Sequence, residues 1–266
     1  MIPDKAIESD NIISAVVHSV FLKREVIINL YIHQIDTNTP PCLCIVNDGQ
    51  DLISMDFKTI LSASSLNRPM IFAGVHCGKE RVEEYGMSAG PDYLNRGKKG
   101  QAYENFIIKE LIPWLKKKYP KADFSQNIIA GFSMGGLKAL DIAWNHPQLF
   151  SWAAVFSGAL WWRSVSADDA GYDENLHRMM HHQILNSEVP ENLKLFFQCG
   201  LQDEAADRNK NGVIDSIDDT IDLMRILLKK GKLEGKDFFY LQMPHGKHDI
   251  STWGKAWPVF LKLLQL

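Results

Sequence analysis

The stretch Asn127–Gly136, "NIIAGFSMGG", decides the fold. Ile128, Ile129 and Ala130 make a short apolar run suited to a buried strand. Leu137, Leu140 and Trp144 follow on one helical face, and the run stops before Pro147, so a helix is expected over about 135–145. Between them lies Gly131-Phe132-Ser133-Met134-Gly135, a G-x-S-x-G sequence. A strand–turn–helix carrying that sequence holds its serine in a strained turn, where bulky residues two places away would collide with the backbone. The strain lifts the hydroxyl clear of the sheet, and the helix N-terminus directs partial positive charge towards it. Ser133 is therefore a candidate nucleophile, and the Met134 N–H a candidate donor to an oxyanion. An ordinary glycine-rich turn without chemistry is the plain alternative.

Outward from this point, strands and helices alternate. "AVVHSVFLKREVIINLYIHQI" is rich in β-branched and aromatic residues and reads as a hairpin with its turn at "LKRE". "CLCIVNDG" and "MIFAGVHCG" are apolar runs that end in glycine-containing loops. Phe106, Ile107, Leu111, Trp114 and Leu115 form the stripe of a helix over 101–118, bent at Pro113. "SWAAVFSG", "LKLFFQCG" and "DFFYLQM" read as three more strands, and the chain closes on a helix holding Trp253, Trp257, Phe260 and Leu264. Segment 162–190 is polar, with a helix-like "ENLHRMMHHQIL", and reads as a small cap. The pattern predicts one α/β domain over 1–266, a three-layer sandwich around a mostly parallel sheet with an antiparallel N-terminal hairpin.

Composition removes several function classes. The 266 residues carry a net charge of −3, which supplies no general basic field for nucleic acid. Lys116, Lys117 and Lys118 read as a solvated helix end. No apolar run approaches the ~20 residues of a membrane helix, and "MIPDKAIESDN" lacks the basic and apolar regions of a leader. Cys42, Cys44 and Cys199 sit in strand-like runs as small core residues, with Cys77 just after another. A cytoplasmic protein acting on a small molecule is expected, with no nucleic acid or membrane partner and its oligomeric state left open.

A nucleophilic serine needs a base and an acid that orients it, arranged in a sheet of this kind in the order serine, acid, histidine. The loop after the last strand, "MPHGKHDISTW", offers both His245 and His248. His146 ends the helix after Ser133, and His177, His181 and His182 lie on the cap segment, facing solvent or packing. The turn "CGLQDE" offers Asp203 or Glu204 as the acid. Trp161 and Trp162, after "FSGAL", are candidates to stack on a sugar or aromatic acyl group, against a role in the core. Arg81 in "KERVEEYG" is a candidate for an anionic group, against a surface ion pair.

"DEAADRNKNGVIDSIDD", 203–219, is the most acidic stretch. Asp207, Asn209, Asn211, Gly212 and Asp215 fit positions 1, 3, 5, 6 and 9 of a calcium loop, with Asp218 where position 12 is normally Glu. Val213 would add its carbonyl. A helix "TIDLMRILLKK" follows and ends at Gly231. The Asp at position 12 resembles the loops of dockerin modules. Such all-oxygen donors suit a structural Ca2+ that orders the candidate acid, rather than a metal that activates water. The chemistry itself calls for no cofactor.

Several separate blocks resemble the esterase branch of the α/β-hydrolases, which includes enterochelin-esterase-like proteins, feruloyl and acetylxylan esterases, S-formylglutathione hydrolase and the mycolyltransferases. They are "NDGQDL", "ENFIIKELIPWLKKKYP", "IIAGFSMGGLKALDIAWNHPQLFSWAAVFSGALWW", "CGLQD" and "GKHDISTWGKAWPVFL", in the family's order over nearly the whole chain. The resemblance implies Ser133 as nucleophile, His248 rather than His245 as base, and Asp203 as acid. It implies an oxyanion amide after the early strand, where the family often has His-Gly and this chain has Asp48-Gly49, which places it on Gln50. The implied reaction is ester hydrolysis through an acyl-enzyme, with carbohydrate-linked, feruloyl or siderophore-type esters as substrates. Acyl transfer or peptide cleavage on the same triad, and a calcium-dependent binding module without catalysis, are the alternatives.

Overall fold

The computed structural model describes residues 7–9, 12–34 and 39–265. Apart from Ile7–Ser9, the N-terminal stretch read above for a leader lies outside the described residues. Among the described residues, nine strands run in chain order: β1 Ile7–Ser9, β2 Ile12–Ser19, β3 Arg24–His33, β4 Cys42–Asn47, β5 Met70–Val75, β6 Asp123–Phe132, β7 Phe150–Phe156, β8 Lys194–Gln202 and β9 Phe238–Lys247. They form one sheet in the order β1-β2-β3-β5-β4-β6-β7-β8-β9. The pairings from β1 through β3 to β5 are antiparallel, and all later ones are parallel. Every residue of β4 and β5 is buried, as continuous apolar runs covered on both faces must be.

Helices cover both faces. Leu111, Leu140 and Leu227 bring helical segments at 106–118, Met134–Asn145 and Asp215–Lys229 onto one side. The other side carries Phe57–Ala63 and the last helix, Ile250–Leu263. Its centre is aromatic: Trp257, fully buried, packs edge-on to Phe57 at 4.8 Å and tilted against Phe156 at 5.0 Å. Replacing Trp257 by alanine should cost about 3–5 kcal/mol, lowering Tm by roughly 6–20 °C in a thermal melt. A shift of a degree or less would show that this cluster does not support the fold.

The structure departs from sequence reading in local detail. The hairpin turn lies at 20–23 rather than at "LKRE", because Lys23 adopts φ +55° and β3 already begins at Arg24. The helix over 100–118 contains a π-helical turn at Phe106–Leu111 just before Pro113. A proline within a helix removes one N–H and crowds the preceding turn, and a widened turn relieves both. The cap helix is two short helices, Glu174–His177 and Met179–Asn186, broken where Arg178 is extended. No described helix is long and apolar enough to cross a membrane.

Candidate active site

Ser133 leaves the carboxyl end of β6 with φ +55° and ψ −121°, a combination outside the ordinary regions for a non-glycine residue. Its N–H donates to the Phe156 carbonyl at 2.9 Å, and its own carbonyl accepts from Ala159 at 3.1 Å, so strand β7 clamps the strained turn. A Cβ on Gly131 would lie 2.2 Å from the Gly135 carbonyl oxygen, which explains why the motif needs glycine there. The Asn47 amide donates to that same oxygen at 2.8 Å and accepts from the Tyr103 hydroxyl at 2.7 Å. Met134 is the first residue of the helix, where N–H groups have no partner within the helix.

Asp203 and His248 follow the carboxyl ends of β8 and β9, on the same sheet edge. Asp203 Oδ2 accepts from the Gly200 N–H at 3.0 Å, while Oδ1 is buried and has no hydrogen-bond partner among the described residues. Gly200 crosses Gly246 so closely that a Cβ on Gly200 would stand 2.4 Å from the Gly246 carbonyl carbon and 2.6 Å from Asp203 Oδ1. The acid turn thus lies against the loop that carries the histidine. His245 is part of β9, whereas His248 comes after it, immediately before Asp249 caps the last helix. Asp249 Oδ1 accepts from the Thr252 N–H at 2.8 Å, and Thr252 Oγ1 accepts from the N–H of Lys247, two residues before the cap, at 2.9 Å.

The His248 ring stands edge-on to Trp253 at 5.3 Å. Trp253 in turn stacks on Phe132, the residue before Ser133, at 5.1 Å, and its Nε1 donates to Ser157 Oγ at 3.0 Å. One aromatic ring therefore spaces the histidine loop from the serine turn. Burial lowers the His248 pKa, Asp203 raises it, Arg81 lowers it and Asp249 raises it, with a net downward shift. If His248 is the base, it must be neutral to act, so the acid limb of kcat/KM should inflect below the ordinary 6.5. Removing the Arg81 charge should move that limb to higher pH. Asp51, pushed up to about 6 chiefly by burial and also held down by Arg81, would move the same way. A limb that stays put in Arg81→Gln would contradict this placement.

Gln50 sits in the turn between β4 and a short helix, Asp51–Ser54. Its side chain accepts from the Cys77 N–H at 3.1 Å and donates to Asp48 Oδ1 at 3.2 Å. Asp48, at φ +58°, donates its N–H to the Tyr85 hydroxyl at 3.0 Å. Its buried carboxylate receives Arg81 bidentately, at 2.7 Å to each oxygen. Arg81 Nη2 also donates to the Phe132 carbonyl at 3.3 Å. The Asp48-Gly49 departure is thus part of a network reaching the serine turn. Sequence reading missed Asn47, Tyr85, Tyr103 and Ser157 as supports. Apart from Asn47, which ends the run leading into "DG", they carry no motif of their own.

One expectation changes. Trp162 is fully buried, and the ring beneath Gly97 leaves no face for a substrate, so it is a core residue. Trp161 is half-buried, tilted against Trp162, with the Arg96 guanidinium over its ring. In the acidic loop, Gly212 takes φ +84°, and Asp207 accepts from the N–H groups of Asn211 and Gly212 at 3.1 and 2.9 Å. The amides of Asn209 and Asn211 both donate to Asp218 Oδ2. Asp215, however, turns to Arg208, accepting from its N–H at 2.9 Å and pairing with Nη1 at 3.1 Å. Among the described residues no three His, Cys, Asp or Glu side chains form a cluster able to hold a metal.

Hydrogen bonds tie the loop to the turn that holds Asp203. Glu204 accepts from the Ser216 N–H, and the Asp215 N–H donates to the Ala206 carbonyl at 2.8 Å. Asp219 then joins buried Arg178 from the cap and Arg208 from the loop, at 2.8 and 2.7 Å. Much of the acidity thus latches the cap to the helix that follows the loop. His181 is buried here, its Nε2 2.7 Å from the Asp219 carbonyl oxygen, which accounts for one cap histidine as packing.

A mostly parallel sheet flanked by helices, with a strained serine between strand and helix, has the α/β-hydrolase fold. A family model described as "Putative esterase" matches residues 22–262, and the chain belongs to that family. No curated protein sequence gives a significant match. Among solved structures, the enterobactin esterase FES from Shigella flexneri, in the presence of enterobactin, is 16% identical with a TM-score of 0.71. That match covers 99% of this chain and 61% of the other, so this chain spans about three-fifths of that protein. An IroE-like serine hydrolase from Shewanella oneidensis is 18% identical, TM-score 0.69, over 94% of this chain and 80% of that one. The siderophore hydrolase EstB from Aspergillus nidulans is 14% identical, TM-score 0.68, over 100% and 99%.

Proposed function

We propose that the protein hydrolyses carboxylic esters through a Ser133–His248–Asp203 triad. The observation that carries this reading is the strained Ser133 at the head of its helix, in a chain of an esterase family. In the proposed cycle, His248 takes the Ser133 proton as Oγ attacks the ester carbonyl. The N–H groups of Met134 and Gln50 hold the oxyanion, His248 returns the proton to the departing alcohol, and water releases the acid. Asp203 Oδ1, buried and without a hydrogen-bond partner among the described residues, suits a carboxylate that accepts from the imidazole Nδ1–H. The enterobactin esterase and siderophore hydrolase among the structural neighbours favour siderophore-type esters first, with feruloyl and acetylated-sugar esters next. Assay of p-nitrophenyl acetate, then a panel of those esters, with wild type and Ser133→Ala, tests this reading. Equal rates for the two proteins would sink it. Faster turnover with added alcohol, and an ester as product, would make it an acyltransferase.

We also propose that loop 207–218 takes a structural Ca2+ on Asp207, Asn209, Asn211, Asp218 and the Val213 carbonyl. The support is a donor set of hard oxygens in calcium-loop order. Asp215 would have to leave Arg208 to join them, which lowers the expected affinity. Millimolar Ca2+ should raise Tm, and chelator should reverse the rise, with a smaller effect on turnover. A Tm indifferent to both would dismiss the ion and leave the hydrogen bonds as the brace.

A further inference from the structure

We infer that Arg81 is the charge-selecting residue of this site, and that the preferred esters carry a carboxylate or other anionic group near the scissile bond. The inference rests on the esterase reading and adds a substrate class to it. The guanidinium is placed by two anchors that bracket the candidate machinery. One is Asp48 in the oxyanion turn, with two contacts of 2.7 Å, and the other is the carbonyl of Phe132, immediately before Ser133, at 3.3 Å. Tyr85 supports the planar group from below, with its ring centroid 5.2 Å from Cζ. Nε and Nη2 are thus used, while Nη1 has no hydrogen-bond partner among the described residues. Asp48 is buried, but the Arg81 side chain keeps 31% of its surface exposed.

The expected surface ion pair is therefore something different. A pair made only for stability has no need to sit between an oxyanion turn and a nucleophile, and a surface pair is worth little. Here a buried carboxylate holds a guanidinium in place while the arginine side chain stays partly exposed. A fixed guanidinium whose Nη1 is left without a partner offers a carboxylate oxygen a donor in a set position, which a flexible ammonium does not. Its field also reaches the histidine, since Arg81 is one of the charges that lower the His248 pKa.

The test compares esters on one enzyme, so that a partly damaged variant remains informative. Mono-p-nitrophenyl succinate places a carboxylate on the acyl side, 5-acetoxy-2-nitrobenzoate places one on the alcohol side, and p-nitrophenyl acetate is the neutral reference. In wild type, at least one anionic ester should exceed the reference in kcat/KM, by less as salt is added. Arg81→Gln should reduce that ratio about tenfold or more, the scale of one charge-assisted hydrogen bond, through KM more than kcat. Arg81→Lys should keep part of the preference. Asp48→Asn/Arg81→Gln, which removes the buried charge left behind in the single variant, should lose it. Ratios that stay the same in Arg81→Gln for both anionic esters, or a wild type that prefers the neutral ester, would overturn the inference. If Ser133→Ala hydrolyses all three as fast as wild type, the esterase reading fails instead.

Discussion

Ser133→Ala should lower kcat on p-nitrophenyl acetate by roughly 10⁴–10⁶-fold while leaving Tm within a degree or two of wild type. The chemical reason is the loss of the only atom proposed to bond the acyl group. The structural reason for unchanged stability is that Ser133 is held by its backbone, through Phe156, Gly136, Leu137 and Ala159. Alanine keeps those bonds and requires no more of the φ +55° turn than serine does. Residual rate should come from the oxyanion donors and binding alone. Because the three side chains would act as one unit, adding Asp203→Asn to Ser133→Ala should cost almost nothing further.

Asp203→Asn should be nearly as damaging, with a loss of about 10⁴-fold in kcat near neutral pH. Asparagine keeps the size of the side chain, so packing at the Gly200–Gly246 crossing survives. What changes is hydrogen-bond polarity. A carboxylate can only accept, which fixes the imidazole proton on the nitrogen facing it and leaves the other nitrogen free as the base. An amide can turn its NH2 towards the ring and hold the unproductive tautomer. The unpaired Oδ1 of Asp203 is where that acceptance is expected. The alternative acid is Glu204, whose carboxylate accepts from the Ser216 N–H. If Glu204→Gln lost more activity than Asp203→Asn, the acid would have been misassigned.

The central part of the fold was legible because it is written in local patterns. The all-buried strands β4 and β5 are continuous apolar runs, and the helix after Ser133 shows its stripe and its stop before Pro147. The serine turn was legible because close backbone approach leaves glycine as the only choice. The supports of the site were not, because they depend on residues brought together by the sheet order. Asp48 and Arg81 are 33 residues apart, and Ser157 and Trp253 are 96 apart. The same holds for the acidic loop: its spacing reads as an ion site, but Arg178 reaches Asp219 from the cap, and Arg208, at a position the pattern leaves open, engages Asp215. Trp162 looked available because aromatic residues after a strand often line a cleft. Gly97 allows a loop to close over that ring, which the sequence around Trp162 does not reveal.

The most direct measurement is covalent labelling with a fluorophosphonate, followed by intact mass and peptide mapping. The account predicts a single adduct on Ser133, absent from Ser133→Ala and formed far more slowly in His248→Ala. No adduct on folded protein, or an adduct on another serine that persists in Ser133→Ala, would contradict it.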